Sequence, residues 1–284
     1  ITHRLKAGCA TMAYPDGPAP ALPDRHGGAL RVDAAKCADG CTACLPVCPT
    51  EAITRAPSAA KALVGGKATE GSTMALVSLD LGRCLFCGEC VAACPSKAIV
   101  QTRDHRLAVR RREDVVVGAP GQEELRLAAA LDAQMKKLLG RSLRLRQVSA
   151  GGCGACEADI NVLGTIGWDL GRFGIQYVAS PRHADGLIIT GPVTKAMELA
   201  LKKTWDAVPG PKIAIAVGTC AISGAPFVGH AETCQGADNV IPIDLYIAGC
   251  PPHPLTILDG LLRIIGRLEG KAAGEAPVGK VMAG

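Results

Sequence analysis

Twelve of the fourteen cysteines in this 284-residue chain fall into three sets of four, and any fold it adopts has to bring each set together. Two sets are made from compact runs, Cys37-Ala-Asp-Gly-Cys41-Thr-Ala-Cys44-Leu-Pro-Val-Cys48-Pro49 and Cys84-Leu-Phe-Cys87-Gly-Glu-Cys90-Val-Ala-Ala-Cys94-Pro95. The third is dispersed over Gly152-Cys153-Gly-Ala-Cys156, Gly218-Thr219-Cys220 and Gly249-Cys250-Pro251-Pro252. Cys9 and Cys234 are left over; neither has a partner at ligand spacing, and both are read as non-ligating. A chain of this length has room for a real core, so the cysteines are not the staples of a small secreted scaffold. Their spacing is that of metal ligands in a reducing compartment.

Iron–sulfur clusters need soft anionic ligands, and thiolates supply them while backbone N–H groups hydrogen-bond to the sulfurs. Three cysteines two residues apart let one tight loop wrap a cubane. In two-cluster ferredoxins, which both runs resemble, the fourth cysteine before the proline binds the other cluster. One 4Fe–4S site is therefore assigned to Cys37, Cys41, Cys44 and Cys94, and a second to Cys84, Cys87, Cys90 and Cys48. A pair of zinc sites is the competing reading, but zinc ligands come as separated pairs rather than as a duplicated quartet ending in Cys-Pro. The first run departs from the pattern by one residue, at Cys37-x-x-x-Cys41. A bulge at Asp39-Gly40 absorbs it, glycine being free to take positive φ. A three-iron cluster at this site, or a Cys37 outside the ligand set, stays open.

The two runs sit in an internal repeat. Val32-Asp33 and Leu79-Asp80 precede them, and Thr50-Glu51-Ala52-Ile53 and Ser96-Lys97-Ala98-Ile99 follow, which predicts two short strands around each cysteine turn. The stretch from Ala56 to Ser78 reads as an inserted hairpin or loop. Residues 1–28, rich in Pro and Gly, predict an extended arm without a core of its own. From Pro120 to Leu139 a helical pattern places Leu127, Leu131, Met135 and Leu138 on one face. Beyond it, strands at Leu143–Val148, Gly174–Ala179, Leu187–Thr190, Ile213–Val217 and Leu245–Ala248 alternate with helices. That alternation predicts α/β architecture, a doubly wound, flavodoxin-like parallel sheet behind an α+β ferredoxin-like unit. The division expected is an arm over 1–28, a two-cluster ferredoxin domain over 29–112, a helical linker over 113–142 and the sheet domain over 143–284.

Composition narrows the function. Aromatics make up only 3% of the chain against 48% apolar residues, which suits an aliphatic sheet core and not a surface for stacking bases. The net charge of +5 is mild, so nucleic acid is not an expected partner. No run of 18 apolar residues is present to span a membrane. No charged-then-apolar leader opens the chain, and the Ile1 start leaves a removed leader open.

The third cysteine set is the more informative. Its loops follow the first, fourth and fifth strands of the sheet, so all four thiols converge at the carboxyl edge where open α/β sheets bind ligands. Packing cysteines are the plainer alternative. At these residues, together with Glu157 and Ser180-Pro181-Arg182-His183-Ala184-Asp185, the segment from about 143 to 270 resembles the small subunit of nickel–iron hydrogenases and the cluster-bearing B-type subunit of respiratory complex I. The complex I branch has its first two ligands adjacent; here Gly-Ala separates Cys153 from Cys156, which is similar to the hydrogenase branch. The N-terminal half resembles the two-cluster I-type subunit of complex I.

The resemblance implies a membrane-associated, group 4 type hydrogenase, as in formate hydrogenlyase, with two normally separate subunits fused. It implies three 4Fe–4S clusters, the third held by Cys153, Cys156, Cys220 and Cys250 beside the active site of a nickel–iron large subunit. It also implies membrane-embedded partner subunits, an electron donor or acceptor protein at the ferredoxin domain, and a cytoplasmic position on the inner face of the membrane. Glu157 is a candidate proton relay toward the large subunit, with a helix N-terminal acid as the equal alternative. Arg182 and His183 are expected in capping or at the partner interface, and His253 in a loop without metal duty. The basic run Arg103, Arg106, Arg110, Arg111 and Arg112 reads as solvated surface, or as a dock for an acidic donor. A complex I-like quinone oxidoreductase subunit and a free ferredoxin-like carrier are the alternative functions; a shuttle has no use for the sheet domain.

Overall fold

The internal repeat folds as matched antiparallel ladders in the computed structural model, which describes residues 8–38, 40–56, 76–118, 125–139 and 142–268 together with residues 2 and 6. Each half of the repeat contributes one strand to each ladder. β1 (Leu30–Val32) pairs with β4 (Ile99–Gln101), and β2 (Ile53–Ala56) with β3 (Leu76–Asp80). Equivalent bonds close the two halves: the amides of Asp33 and Asp80 donate to the carbonyls of Ala98 and Ala52, both at 2.8 Å. A short helix, α1 (Glu89–Ala93), lies inside the second cysteine run. Of the stretch expected as an inserted hairpin or loop, residues 57–75 lie outside the described residues. Gly40 takes φ +74, the positive value expected for the extra residue; Asp39 lies outside the described residues.

After the repeat the chain crosses to the other half and back. β5 (Ala108–Val109) is followed by a 3-10 turn over Arg112–Val115 and by β6 (Val116–Val117), which returns to pair with β3. The basic run is spent on this crossing. Arg106 pairs with Asp104 at 2.6 Å, Arg112 with Asp80 at 2.6 Å and Arg103 with Asp24. Arg110 donates to the carbonyls of Asp244, Ala129 and Ala130. Arg111 stays on the surface beside Glu113. Arg106, Arg110 and Arg112 are thus used internally, whereas Arg103 and Arg111 keep to the surface.

The helix expected from Pro120 to Leu139 forms only over its last part, α2 (Ala133–Leu139). Residues 119–124 lie outside the described residues, and 125–132 are not helical. The Ala128 amide donates to Ala108 at 2.8 Å and the Leu131 amide to Ile264 at 3.0 Å, while Arg110 takes the carbonyls of Ala129 and Ala130. Those tertiary bonds claim the groups a helix would pair internally, and local propensity yields to them. Leu138, placed on the buried face by the pattern, is 54% exposed.

Five parallel strands follow: β7 (Leu143–Ser149), β8 (Ile175–Tyr177), β9 (Gly186–Thr190), β10 (Ile213–Val217) and β11 (Leu245–Ile247). Every residue of β9 and β10 is buried, as expected for strands covered on both faces. The sheet order is β5-β11-β10-β9-β7-β8, with β5 antiparallel to β11 at its edge. The parallel part thus has the flavodoxin-like 2-1-3-4-5 order, whose switch point lies between β7 and β9. Ala108 and Val109, expected within the N-terminal unit, are the sixth strand of the C-terminal sheet.

The connecting helices are α3 (Ala155–Val162), α4 (Lys195–Ala207), α5 (Thr219–Ser223) and α6 (Pro254–Ile264). Ten of the eleven residues of α6 are buried, so it needs cover on all sides. Part of that cover comes from the arm. Residues 8–28 form no helix or strand, and they dock through Met12 to Gly167 and through Arg172 to the carbonyls of Met12 and Tyr14. Tyr14 is buried and its hydroxyl donates to Asp259 at 2.8 Å. Asp259 is fully buried on α6 and is also paired with Arg263 at 2.6 Å.

A buried carboxylate with two partners predicts a graded response. Arg263→Leu leaves the Asp259 charge uncompensated and should destabilise the fold by about 3–5 kcal/mol. Tyr14→Phe removes one hydrogen bond to the charged group and should cost about 1.5–3 kcal/mol. Thermal unfolding of the two variants should show that order, and equal midpoints would remove Asp259 as the anchor of the arm.

Candidate metal centres

The cysteine turns are held by their own backbones. The Ala52 amide donates to Cys48 Sγ and the Ala98 amide to Cys94 Sγ, each at 3.2 Å, and these are equivalent positions of the repeat. The hydroxyls of Thr50 and Ser96 lie 3.8 Å from the same two sulfurs. A third amide, Phe86, donates to Cys84 Sγ at 3.2 Å. Hydrogen bonds of this kind stabilise anionic sulfur and tune whatever it binds.

The chain crossing between the runs brings the thiols together across the repeat. Cys37, Cys41, Cys44 and Cys94 line one small cavity, walled by Val32, Val77 and Ile99. Cys48, Cys84, Cys87 and Cys90 line another, walled by Leu30, Ile53 and Leu79. In each, the cysteine that precedes a proline comes from the opposite run. Among the described residues, no three His, Cys, Asp or Glu side chains converge on one ion position. The lining of each cavity, four sulfurs and aliphatic walls, suits a polynuclear iron–sulfur cluster.

The third set gathers at the carboxyl edge of the sheet. Cys153 and Cys156 follow β7, on either side of Gly154 at the start of α3; Cys220 lies in α5 after β10; Cys250 follows β11. Gly218 has φ +88, and a Cβ there would lie 2.6 Å from Cys156 Sγ, so any side chain would displace the thiol. Cys153 and Cys250 are exposed, Cys156 and Cys220 half-buried.

The electrostatics of the metal-free thiols carry the same message. Burial, with Cys90, Cys48 and Cys87 adding repulsion, pushes Cys84 up to about 12. Burial and neighbouring thiolates likewise push Cys90 up to about 11. At the sheet edge, burial and the neighbours Cys250 and Cys153 push Cys220 up to about 11. Cys156 is raised as well, by burial and by Cys220, Glu157, Cys250 and Cys153. Cys94 is the exception: burial raises it, but the surrounding amides and the Ser96 hydroxyl outweigh that and leave it below its ordinary value. Sulfurs packed this way cannot all ionise unaided, and bound iron would supply the compensating charge.

Glu157 lies one residue past Cys156, at the switch point. Ser149 at the end of β7 and Thr190 at the end of β9 both donate to its Oε1 at 2.6 Å. Burial pushes this carboxyl up, but the two hydroxyls outweigh it and hold it below the usual carboxylate range. Sequence alone singles out neither hydroxyl, although both are polar residues at strand carboxyl ends, where ligands are expected. Arg182 and His183 are exposed on the 3-10 turn Pro181–His183. His253 caps α6, its Nδ1 accepting the Leu255 amide at 3.1 Å, and its ring packs on His26 and Trp168. Cys9 is exposed, and Cys234 is buried with its thiol 3.4 Å from Glu198, both apart from the three sets.

The halves meet at these sites. The Thr219 hydroxyl lies 2.9 Å from the Cys84 carbonyl and 3.0 Å from that of Gly249, and Ser223 donates to Gly82 at 2.7 Å. One apolar cluster joins Leu81, Cys84 and Cys90 to Ala216, Ile222, Tyr246 and Ala248.

Comparison with known proteins agrees with both halves. Residues 153–264 match the family described as NADH ubiquinone oxidoreductase, 20 Kd subunit, and residues 29–98 match a 4Fe-4S dicluster domain. The chain is 39% identical over 145 residues to the probable membrane-bound hydrogenase subunit mbhJ of Pyrococcus furiosus, covering 51% of this chain and 87% of that one. It is 41% identical over 151 residues to formate hydrogenlyase subunit 7 of Escherichia coli, covering 52% and 58%. With an F(420)H(2) dehydrogenase subunit of Methanosarcina mazei it shares 44% over 118 residues, covering 42% and 64%.

Raised thiols predict the pH dependence of cluster insertion. In the metal-free chain Cys84, Cys90 and Cys220 hold their protons at neutral pH, and binding releases them. Reconstitution with iron and sulfide should therefore liberate protons and go further toward completion as pH rises from about 7 to about 9. Absorbance and proton release in weak buffer measure both. Uptake that declines over that range would remove these thiols from the binding reaction.

Proposed function

The chain belongs to the NADH ubiquinone oxidoreductase 20 kDa subunit family, and from that premise we propose that it is the wiring subunit of a membrane-associated nickel–iron hydrogenase complex. It is an iron–sulfur electron-transfer protein, with a dicluster ferredoxin half joined to a family half. The reading assigns three 4Fe–4S clusters: one on Cys37, Cys41, Cys44 and Cys94, one on Cys84, Cys87, Cys90 and Cys48, and a third on Cys153, Cys156, Cys220 and Cys250. The convergence of that last set on the carboxyl edge of the sheet, from three separate strand-end loops, is the observation that carries it. Residues 29–112 serve as the ferredoxin domain, except that β5 belongs to the sheet of residues 143–268.

The exposed Cys153 and Cys250 loops are where a nickel–iron large subunit would cover the third cluster. The clusters supply one-electron storage; the residues of this chain hold, insulate and tune them. Glu157, whose carboxylate accepts from Ser149 and Thr190, is assigned the proton-relay role at the same edge. No helix among the described residues is long and apolar enough to cross a membrane. Attachment to the cytoplasmic face of the membrane is therefore assigned to partner subunits, and a donor or acceptor protein to the ferredoxin end. A second reading, a quinone- or F420H2-linked dehydrogenase subunit, is favoured by the 44% identity to the Methanosarcina protein. Separation of Cys153 from Cys156 by two residues favours the hydrogenase branch.

The purified chain should hold about twelve iron and about twelve acid-labile sulfide. Cys153→Ser, Cys156→Ser, Cys220→Ser or Cys250→Ser should each remove or convert the third cluster, whereas Cys9→Ser and Cys234→Ser should leave all the iron in place. Stoichiometric zinc with little iron, or loss of a cluster on Cys234→Ser, would overturn the assignment.

The partner is tested on the native complex. The isolated chain should accept electrons from a low-potential dye without evolving hydrogen, and the intact complex should interconvert protons and hydrogen with that dye. A native complex that lacks nickel, ignores hydrogen and reduces quinone would falsify the hydrogenase reading.

A further inference from the structure

We infer that Thr219 is the positioning residue that couples the cluster on Cys84, Cys87, Cys90 and Cys48 to the cluster at the sheet edge. The inference deepens the proposed wiring role and rests on it. Thr219 is 1% exposed and stands in the chain directly before Cys220. Its hydroxyl lies 2.9 Å from the Cys84 carbonyl and 3.0 Å from the Gly249 carbonyl, and Gly249 directly precedes Cys250. Gly249 already accepts the Thr219 amide at 2.9 Å, so the single hydroxyl proton is best used toward Cys84. One side chain thereby touches the residue that bears a ferredoxin-site thiol and two loops that bear sheet-edge thiols.

The contact makes a nearly covalent route between sulfurs. From Cys84 Sγ the route follows the cysteine to its carbonyl, crosses one hydrogen bond to Thr219, and continues along the chain to Cys220 Sγ. Electron tunnelling weakens far more steeply through open gaps than through bonds, so the hydrogen bond is the step that decides coupling. One electron leaves the reduced ferredoxin-site cluster and reduces the sheet-edge cluster, with no bond made or broken and no proton moved.

Two neighbouring features fix the spacing of the seam. Ser223, one turn further along α5, donates to the Gly82 carbonyl at 2.7 Å. A Cβ on Gly82 would meet Ile222 at 2.7 Å, so the turn that carries Cys84 packs directly on α5. Ser223 joins the same two segments, but two residues before Cys84 and three after Cys220, so its bonded route between sulfurs is longer, which makes it the internal control. Cys37, Cys41 and Cys44, by contrast, line a separate cavity together with Cys94.

The test uses the full chain purified with its clusters under anaerobic conditions. Paramagnetic resonance of the reduced protein reads the spin–spin interaction between clusters, and rapid mixing with a low-potential dye reads the order in which they fill. Thr219→Val keeps the shape and removes the donor. It should retain the full iron and sulfide content and the spin–spin splitting, which follows the distance between clusters, and slow the filling of the sheet-edge cluster. Thr219→Ser should restore the rate, and Ser223→Ala should leave it as in the unaltered protein. Unchanged filling in a fully loaded Thr219→Val protein overturns the inference, as does an equal loss of rate in Ser223→Ala or a changed splitting, which would mean that the clusters had moved apart. If Thr219→Val does not assemble, Thr219→Ser decides: a fully loaded Thr219→Ser protein with slowed filling also overturns it. An unaltered protein with no sheet-edge cluster signal at all counts against the three-cluster reading instead.

Discussion

Crowding anionic sulfur into an apolar enclosure is the constraint on which the rest of this molecule turns. Each cavity of the ferredoxin half gathers four thiols against valine, isoleucine and leucine, where a thiolate without a cation is disfavoured. The raised values at Cys84, Cys90, Cys156 and Cys220 express that cost in the metal-free chain. Amides aimed at Cys48, Cys84 and Cys94 offset part of it, and bound iron offsets the remainder. The fold is thus arranged so that its functional group is also a structural one, and metal binding contributes directly to the stability of the loops that hold it.

The same constraint explains why the two halves are not independent modules. An electron carrier gains little from a site that it meets only occasionally, and this chain removes the freedom by sharing structure. β5 leaves the ferredoxin half to pair with β11, Arg110 crosses to the Asp244 carbonyl, and Leu81 and Cys84 share an apolar cluster with Ile222 and Tyr246. The arm adds a fourth tie by placing Tyr14 against Asp259 on the most buried helix of the sheet. Of these ties, the one through Arg110 uses a residue that the sequence reading gives to solvent or to a partner.

Much of this is legible in the sequence because cysteine spacing and strand periodicity are local signals. Residues Ile213–Val217 are a strand in both readings, and the grouping of Cys94 with the first run and Cys48 with the second follows from a pattern defined by sulfur chemistry. What is not legible is set by long-range contact. Within the helix expected from Pro120 to Leu139, residues 125–132 are claimed instead by Ala108, Ile264 and Arg110, none of which is near in sequence. The basic run around Arg110 eludes a sequence reading for the same reason, since a guanidinium's partner carbonyl leaves no trace in composition. Ser149, Thr190 and Thr219 have ordinary neighbours in the chain and acquire roles only where strand ends converge.

Glu157 shows how far the geometry reaches toward mechanism. A group that shuttles protons works best when it can both hold and release one near neutral pH. Ser149 and Thr190 instead favour its ionised form and so lower its affinity for a proton. A cluster held through the neighbouring Cys156 would, on gaining an electron, push that affinity back up, so the two hydroxyls and the cluster charge would act on the carboxyl in opposite directions.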